Sequence, residues 1–577
     1  MLLGTTEVRV KLLLLTIAGL TAGVLTMTAQ TPPRPVATPP PHPAALPAPA
    51  PQTLQPRVTP RLVVMLVVDQ FRADYPELYG TQWSGGLRRL FSTGAVFPLA
   101  EYPYGGTVTC PGHFTIATGV LPASHGMVSN TFFDAKVGRA ALCTADPSAT
   151  SVPFGGGEGR ERHSPFKLLA PTFADELRSQ AKHPPYIVSV SLKPRAAMAL
   201  GGRGGPNTMV MWEEDHGVWA TSDAYTRTPW PEVDKYIREH PIAAAYGTEW
   251  ERLQPPGSYW FADDAAGEAS PAPWGRTFPH KFETRSGEVD NSFVSMWERS
   301  PLSDEYIAGL AASLVTRLRL GQHPGTDLLG LSFSALDLVG HEYGHRSQEV
   351  QDVLIRLDVQ LGKLFDTLDE AVGAGRWVVA MSADHGVAPL PEQLTAAGLD
   401  AGRVSSTDVR TAAQTAIAKV LGDGMYVASL AEQNVFLRPG VMDRLRSTPG
   451  GVDSVKRAIT GVTGMLRAYD PDELSGTTST TDPLLRAWRL SYLAGRSGDF
   501  VVVPKPYWII DSAGTTHGTP YAYDQRVPVV LMGAGIQPGT YLTPASPVDV
   551  APTLAWLTGI TLARTDGRVL TDALTRR

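Results

Sequence analysis

Short apolar runs separated by amphipathic segments recur along most of this chain. The runs hold valine, isoleucine and leucine at consecutive positions, which is typical of strands buried on both faces. After Ser347, apolar residues recur at helical spacing and predict an amphipathic helix. This alternation predicts an α/β fold with a mostly parallel central sheet flanked by helices. The predicted strands are 62–68, 186–191, 327–334, 377–382, 499–504 and 527–532.

Two segments interrupt this alternation within one large predicted domain, residues 61–577. The first, at about 203–300, holds seven of the twelve tryptophans together with many prolines and acidic residues. The second, at about 390–495, reads as mixed helix and loop without a clear buried strand. We predict that both are cap-type insertions on the sheet, and we interpret the tryptophans as the aromatic core of the first insertion.

The N-terminal region predicts export. Arg9 and Lys11 precede an apolar run from Leu12 to about Leu25, which is shorter than the roughly 20 residues that a spanning helix needs. We therefore predict a signal peptide over 1–29, a periplasmic or secreted location and no stable membrane span after cleavage. Residues 30–60 are rich in proline and predict an extended linker.

Composition and cysteine content narrow the classes of protein that fit. Hydrophobic residues make up 43% of the chain and charged residues 18%, as in globular proteins. The formal charge of −6 offers no basic surface for nucleic acid, so no nucleic-acid binding is expected. The two cysteines, Cys110 and Cys143, allow either one disulfide or two buried thiols.

Acidic residues and histidines follow the predicted strands. In open α/β sheets, functional groups gather at the carboxyl ends of strands. A single aspartate there is often a helix cap and a single histidine is often structural, but a set of six suits a divalent metal. Six ligands are too many for one tetrahedral zinc and suit two ions that share a site. The six residues are Asp69, Asp337, His341, Asp384, His385 and His517.

The order of these residues and of the motifs between them resembles the alkaline phosphatase superfamily. The motifs are TCPGH at 109–113, TGVLPASHGMVSN ending at Asn130, SLKPR at 191–195 and PVDVAPTLAWLTG after His517. The resemblance covers nearly all of residues 61–565. It is strongest to the branch with a threonine nucleophile, which contains the nucleotide pyrophosphatase/phosphodiesterases and the phosphate-irrepressible periplasmic alkaline phosphatases.

The resemblance implies a role for each site residue. Thr109 matches the threonine that becomes transiently phosphorylated and contacts one metal, and Asn130 matches an amide that binds a phosphoryl oxygen. Lys193 and Arg195 match a Lys-x-Arg pair that contacts the phosphoryl oxygens of a monoester. The metal ligands divide into two zinc sites, with Asp337, His341 and His517 in one and Asp69, Asp384 and His385 in the other.

The resemblance implies an enzyme, an alkaline phosphatase that hydrolyses small-molecule phosphate monoesters through a phosphothreonine at two Zn²⁺ ions. An alternative on the same scaffold is a phosphodiesterase or nucleotide pyrophosphatase, against which Lys193 and Arg195 argue because they favour a dianion. An alternative of another class is a non-catalytic exported protein that binds metal or phosphate. A sulfatase is disfavoured, since Cys110 lacks the Cys-x-Pro-x-Arg spacing.

Overall fold

The computed structural model describes residues 59–134, 138–214, 217–271 and 273–575. The predicted signal peptide and all but the last two residues of the predicted linker lie outside the described residues. Within the described part of the chain, no helix is long and apolar enough to cross a membrane.

A ten-stranded mixed sheet forms the centre of the fold, and its five middle strands are parallel to one another. This confirms the predicted α/β class. The strands in spatial order are Gly539–Thr540, Ala95–Phe97, Val529–Gly533, Trp377–Ser382, Leu62–Val68, Asp327–Phe333, Ile187–Ser191, Thr208–Glu214, Val218–Ser222 and Ser151–Pro153.

The strand Leu62–Val68 shows why the apolar runs are continuous. Its side chains alternate between two hydrophobic cores, with Val64 and Leu66 in one and Val63 and Met65 in the other. All of its residues are buried because helices cover both faces of the sheet.

The predicted helix after Ser347 forms over Gln348–Leu368, and the Ser347 side chain caps it by accepting from Val350 N. This helix packs in the first core. The α-helices of the described chain are Tyr75–Tyr79, Gly86–Thr93, Thr109–Thr118, Pro122–His125, Phe173–Gln180, Pro194–Gly201, Pro231–Glu239, Asn291–Glu298, Pro301–Arg317, Ala335–Tyr343, Gln348–Leu368, Pro391–Ala396, Ser406–Leu421, Val441–Ser447, Gly451–Thr460, Pro471–Ser475, Pro483–Arg489, Ala522–Gln525 and Val550–Thr558.

The structure differs from the prediction in both interrupting segments. Thr208–Glu214 and Val218–Ser222 extend the central sheet, so the first segment is not wholly an insertion. The second segment contains strands, contrary to our interpretation. They were missed because each has only four or five residues and so lacks a long apolar run. Three of them join the predicted strand at 499–504 in a separate four-stranded sheet, which we call the small sheet. Its order is Val427–Ala431, Asn434–Leu437, Phe500–Pro504 and Met465–Tyr469.

The remaining strands form two-stranded ladders. Thr131–Asp134 pairs with Arg139–Leu142, Glu249–Trp250 with His280–Lys281, and Gly402–Arg403 with Trp508–Ile509. The first of these ladders begins directly after Asn130 and so bears on the site described below.

Candidate metal centre and nucleophile

The six predicted ligands meet at the carboxyl edge of the parallel strands. Asp69 directly follows the strand Leu62–Val68, while Asp337 and His341 lie one turn apart on the helix Ala335–Tyr343. Asp384 and His385 follow the strand Trp377–Ser382. His517 comes from the loop after the small sheet. We call Asp69, Asp337, His341, Asp384, His385 and His517 the strand-end cluster.

Two groups within this cluster have donor atoms that all lie within 4.8 Å of one another. One is Asp337, His341 and His517, the same three residues that the resemblance assigned to one metal. The other is Asp69, Asp337 and His385, in which Asp337 takes the place expected for Asp384. Asp384 lies next to this second group, since its Oδ2 is 3.3 Å from His385 Nε2.

Backbone carbonyls orient the three imidazoles of the cluster. A carbonyl oxygen only accepts hydrogen bonds, so each Nδ1 must carry a proton and each Nε2 is left to face the carboxylates. This is the arrangement that metal-binding histidines adopt. The bonds run from His341 Nδ1 to Thr515 O (2.8 Å), from His385 Nδ1 to Gly386 O (2.9 Å) and from His517 Nδ1 to Thr107 O (2.9 Å).

The cluster holds more negative charge than the protein neutralises. Asp69 Oδ1 and His385 Nε2 are buried and have no hydrogen-bond partner. The buried Asp384 Oδ2 lies 3.2 Å from His113 Nδ1 and 3.3 Å from His385 Nε2. Burial, with the nearby charges of Asp337 and Asp384, raises the pKa of Asp69 well above its usual value. Buried, partnerless carboxylate oxygens are costly unless a cation coordinates them. The residues present therefore fit a metal cofactor.

Lys193 is the ammonium that lies inside this cluster. Its Nζ is 2.6 Å from Asp69 Oδ2 and 2.6 Å from Asp337 Oδ2. Burial lowers its pKa, but the two carboxylates outweigh burial and raise the pKa above the usual value. Lys193 thus contacts two of the predicted metal ligands, whereas the resemblance implied a contact with phosphoryl oxygens.

Gln70 orients two of the carboxylates and was not singled out by the sequence. Its backbone N donates to Asp384 Oδ1 (3.1 Å) and its Nε2 donates to Asp337 Oδ1 (2.7 Å). The backbone at Gln70 is left-handed, with φ of 66°. Gly340 makes room for this side chain, because a Cβ at that position would lie 2.0 Å from Gln70 Oε1. The signal in the sequence was only a polar residue next to Asp69.

Thr109 is buried and is the first residue of the helix Thr109–Thr118, where the helix dipole favours negative charge. His113, one turn later, faces Thr109 O (3.0 Å) and Asp384 Oδ2 (3.2 Å) with its Nδ1, while its Nε2 contacts Ser332 Oγ (2.8 Å). Gly112 lets the helix approach the cluster, since a Cβ there would lie 2.3 Å from Asp384 O. The helix that begins with Thr109 is therefore packed against the strand-end cluster through His113 and Gly112.

Asn130 and Arg195 lie at the same site but differ in their partners. Asn130 Oδ1 accepts from Cys110 N (2.8 Å), so the side-chain carbonyl is taken. The Nδ2 group has two N–H donors, of which the Glu432 carboxylate engages one and the other can bind another group. Arg195 lies in the first turn of the helix Pro194–Gly201. Its buried Nε has no hydrogen-bond partner. Both residues therefore retain N–H groups that can bind an anion.

Cys110 and Cys143 form a disulfide, with an S–S distance of 2.04 Å. This decides between the two states that the sequence left open. The bond joins the start of the Thr109–Thr118 helix to the segment that follows Asn130, and Cys143 N also donates to Asn130 O (2.8 Å). Because its sulfur is in this bond, Cys110 has no thiol to act as a nucleophile.

Comparison with known proteins shows the family. The family model "Type I phosphodiesterase / nucleotide pyrophosphatase" matches residues 63–524. The chain belongs to this family. The match confirms the predicted relationship to the threonine branch of the alkaline phosphatase superfamily.

Several relatives of this chain within the type I phosphodiesterase family are named alkaline phosphatases. Alkaline phosphatase PhoK of Sphingomonas is 30% identical over 89% of this chain and 91% of its own length. Alkaline phosphatase PhoV of Synechococcus elongatus is 29% identical over 89% of this chain and 93% of its own. A crystal structure of alkaline phosphatase PafA has a TM-score of 0.82 at 28% identity, covering 89% of this chain and 99% of that one. Together they support the predicted alkaline phosphatase activity.

Proposed function

We propose that this protein hydrolyses phosphate monoesters through a phosphothreonine at a two-zinc centre and releases inorganic phosphate. The observation that carries the proposal is the packing of the helix that begins at Thr109 against a strand-end cluster in which the buried Asp69 Oδ1 has no hydrogen-bond partner. The alkaline phosphatase names of relatives that align over most of the chain support a phosphomonoesterase.

Two zinc ions are proposed to bind in the strand-end cluster. Asp337, His341 and His517 would hold one ion, and Asp69, Asp384 and His385 would hold the other, which Thr109 also contacts. Asp337 lies close enough to both groups to contact either. When bound, the ions supply positive charge next to the attacking and the leaving oxygen of a displacement at phosphorus.

The side chains divide the reaction between them. Thr109 Oγ1 attacks phosphorus and gives up its proton to solvent, while the bond from phosphorus to the ester oxygen breaks and that oxygen takes a proton from solvent and leaves as the alcohol. Asn130 Nδ2 and the Arg195 guanidinium donate to the other phosphoryl oxygens and stabilise their charge. Water then attacks the phosphothreonine, which restores the Thr109 hydroxyl and releases phosphate.

Preference for monoesters is proposed to come from Lys193 and Arg195. A monoester is a dianion and a diester a monoanion, so two additional positive charges favour the monoester. Arg195 has N–H groups available for this contact. The same family contains phosphodiesterases, so a diester substrate is the second candidate.

The cell compartment is proposed to be the periplasm or the exterior. The predicted signal peptide implies export, and the Cys110–Cys143 disulfide is typical of proteins in an oxidising compartment. Small phosphate esters in that compartment are the proposed substrates.

The direct test uses the purified, zinc-loaded protein and an aryl phosphate monoester. The reaction is quenched in acid, which preserves a phosphate ester, and peptide mass spectrometry locates the modified residue. We expect release of inorganic phosphate, a phosphate on Thr109, and loss of both after treatment with a chelator, with recovery when zinc is returned. Turnover of the monoester without a phosphorylated Thr109 would overturn the mechanism. Binding of phosphate without any turnover would support the non-catalytic alternative.

A further inference from the structure

A hairpin of the small sheet reaches the nucleophile region. Its strands Val427–Ala431 and Asn434–Leu437 pair antiparallel, and Ala431 lies opposite Asn434. The two residues between them, Glu432 and Gln433, form the turn, which we call the hairpin turn. Neither residue was singled out by the sequence.

The backbone of Glu432 is unusual for its residue type. Its φ is 53°, in the left-handed region where glycine, asparagine and aspartate are preferred in such turns. A non-glycine residue keeps this strained conformation where its surroundings hold it there. The contacts of the Glu432 side chain are therefore expected to hold the backbone in this conformation.

The Glu432 carboxylate binds the segment that carries Asn130. Its Oε2 accepts from Ser129 Oγ (2.5 Å) and its Oε1 accepts from Asn130 N (3.2 Å), across 302 residues of chain between Glu432 and Asn130. Burial raises the pKa of Glu432, and the hydrogen bonds from Ser129 and Asn130 and the charge of Arg195 oppose this increase. Glu432 thus lies close to both residues proposed to bind phosphoryl oxygens.

Other contacts hold the hairpin turn at this position. Phe133, on the strand after Asn130, stacks on Phe436 with ring centres 5.8 Å apart. On the other side of the turn, a Cβ at Gly518 would lie 2.7 Å from Gln433 Oε1, so the turn also packs beside the loop of His517. The turn is therefore fixed between the Asn130 segment and the strand-end cluster.

We propose that Glu432 is a positioning residue, which fixes the backbone of Asn130 so that the Asn130 amide points at the phosphoryl group on Thr109. Two bonds hold Asn130 on one side, from Cys110 N to its Oδ1 and from Cys143 N to its backbone O. Glu432 holds its backbone N on the other side. This inference rests on the proposed role of Asn130 in binding phosphate.

A merely structural role of Glu432 makes a different prediction. If the carboxylate only anchors the hairpin, its removal lowers thermal stability and leaves the phosphate affinity of the folded protein unchanged. If it positions Asn130, phosphate affinity and kcat/KM fall together, and the fall depends on the presence of the Asn130 side chain.

The experiment compares the zinc-loaded wild type with Glu432→Gln, Glu432→Ala, Asn130→Ala and the double variant Glu432→Gln, Asn130→Ala. Asp423→Asn, an exposed acidic residue in the same segment, is the matched control. Calorimetry measures the affinity for inorganic phosphate, steady-state kinetics measure kcat/KM for an aryl phosphate, and thermal melting reports folding.

We expect Glu432→Ala to lose roughly 10- to 100-fold in phosphate affinity and in kcat/KM, as is typical for hydrogen bonds to a charged group. Glu432→Gln, which keeps one acceptor, should lose less. In the Asn130→Ala background, Glu432→Gln should change either quantity by less than about twofold, since the group that it positions is gone. Asp423→Asn should match the wild type.

The proposal is overturned if folded Glu432→Ala binds phosphate within about twofold of the wild type. It is also overturned if the effects of Glu432→Gln and Asn130→Ala are fully additive. Should Glu432→Ala fail to fold, the same two criteria are applied to the phosphate affinity of Glu432→Gln and of the double variant Glu432→Gln, Asn130→Ala. Absence of monoester turnover in the wild type would instead refute the proposed function, while the phosphate affinities would still decide the role of Glu432.

Discussion

The strand-end cluster and the hairpin turn both hold carboxylates in the region of the nucleophile candidate, but the partners of these carboxylates differ. In the cluster, the buried Asp69 Oδ1 has no hydrogen-bond partner, and Asp384 Oδ2 faces only imidazole nitrogens among the described residues. In the turn, each oxygen of Glu432 accepts from a partner, Ser129 Oγ or Asn130 N. The cluster thus lacks positive charge that a metal can supply. The Glu432 carboxylate needs no metal, because the protein itself supplies a hydrogen-bond donor to each of its oxygens.

This difference predicts which changes affect metal content. Buried charges without partners are costly, so ligands and the residues that orient them should act through the metal. Changes at the hairpin turn should act on phosphate binding and leave the metal in place. The predictions below test this separation, beginning with the largest expected effect on activity.

Thr109→Ala should reduce turnover by roughly 10⁴-fold or more, as loss of a nucleophile does in other hydrolases. No phosphoenzyme should form, because the attacking oxygen is absent. Metal content, measured by elemental mass spectrometry, should stay nearly unchanged, since the six residues of the strand-end cluster remain. A Thr109→Ala variant that still accumulates phosphoenzyme would place the nucleophile elsewhere.

Gln70→Ala should weaken metal binding by roughly 10- to 100-fold, the usual cost of removing a residue that orients metal ligands. The change removes the bond from Gln70 Nε2 to Asp337 Oδ1 and leaves the ligands themselves intact. Competition with a chromogenic chelator measures the affinity, and Glu432→Gln is the matched control that should retain it. Equal metal affinity in wild type and Gln70→Ala would contradict the claim that residues of the cluster act through metal binding and those of the hairpin turn do not.

Cys110→Ala should keep most of the activity and lose stability. The disulfide closes a loop with a sequence separation of 33 residues, for which loop entropy predicts a loss of about 3–4 kcal/mol in the free energy of unfolding. Denaturant titration measures the loss, and Cys143→Ala should show the same value. If the folded Cys110→Ala variant were inactive while Cys143→Ala was active, the assignment of Thr109 as nucleophile would be wrong.

Glu268, in the tryptophan-rich segment, is a third kind of buried carboxyl, with one donor to Oε2 from Ala265 N and none to Oε1. Burial raises its pKa from 4.5 to about 8. Between these values the folded state holds a proton that the unfolded state has lost, so stability should fall as pH rises from about 4.5 to about 8.

Glu268→Gln should remove this dependence, with no effect on activity. The difference in the free energy of unfolding between the variant and the wild type should shift in favour of the variant as pH rises from about 4.5 to about 8, by up to about 1.4 kcal/mol per pH unit. This shift should appear as a rise in the Tm of the variant relative to that of the wild type. Differential scanning calorimetry across this pH range measures it. A difference in Tm that stays constant with pH would show that Glu268 is ionised in the folded protein.

Sequence patterns predicted the site residues that follow strands of the central sheet. Continuous apolar runs mark strands such as Leu62–Val68, and a polar residue at the end of such a run lies at a known edge of the sheet. Thr107 and Thr515 were missed because they act through backbone oxygens, which the residue type does not reveal. Glu432 was missed because its partners lie about 300 residues away and its hairpin has no long apolar run.

The carboxylate contacts of Lys193 show a limit of another kind. Its spacing from Arg195 predicts a shared contact with phosphate, which stays a prediction, but the motif did not indicate that the ammonium also lies 2.6 Å from each of two carboxylates. Burial and nearby charge determine where a long side chain points, and neither is visible in a short motif. Arg195, two residues later, keeps a buried Nε without a partner.

The central claim is that this site is built for the dianion of a phosphate monoester. Its most direct test is the ratio of kcat/KM for an aryl phosphate monoester to that for the matched diester, in the wild type and in Lys193→Ala, Arg195→Ala. We expect the wild type to prefer the monoester and the double variant to lose roughly 10- to 100-fold of that preference, because contacts to a charged group are lost. A wild type that prefers the diester would contradict the claim.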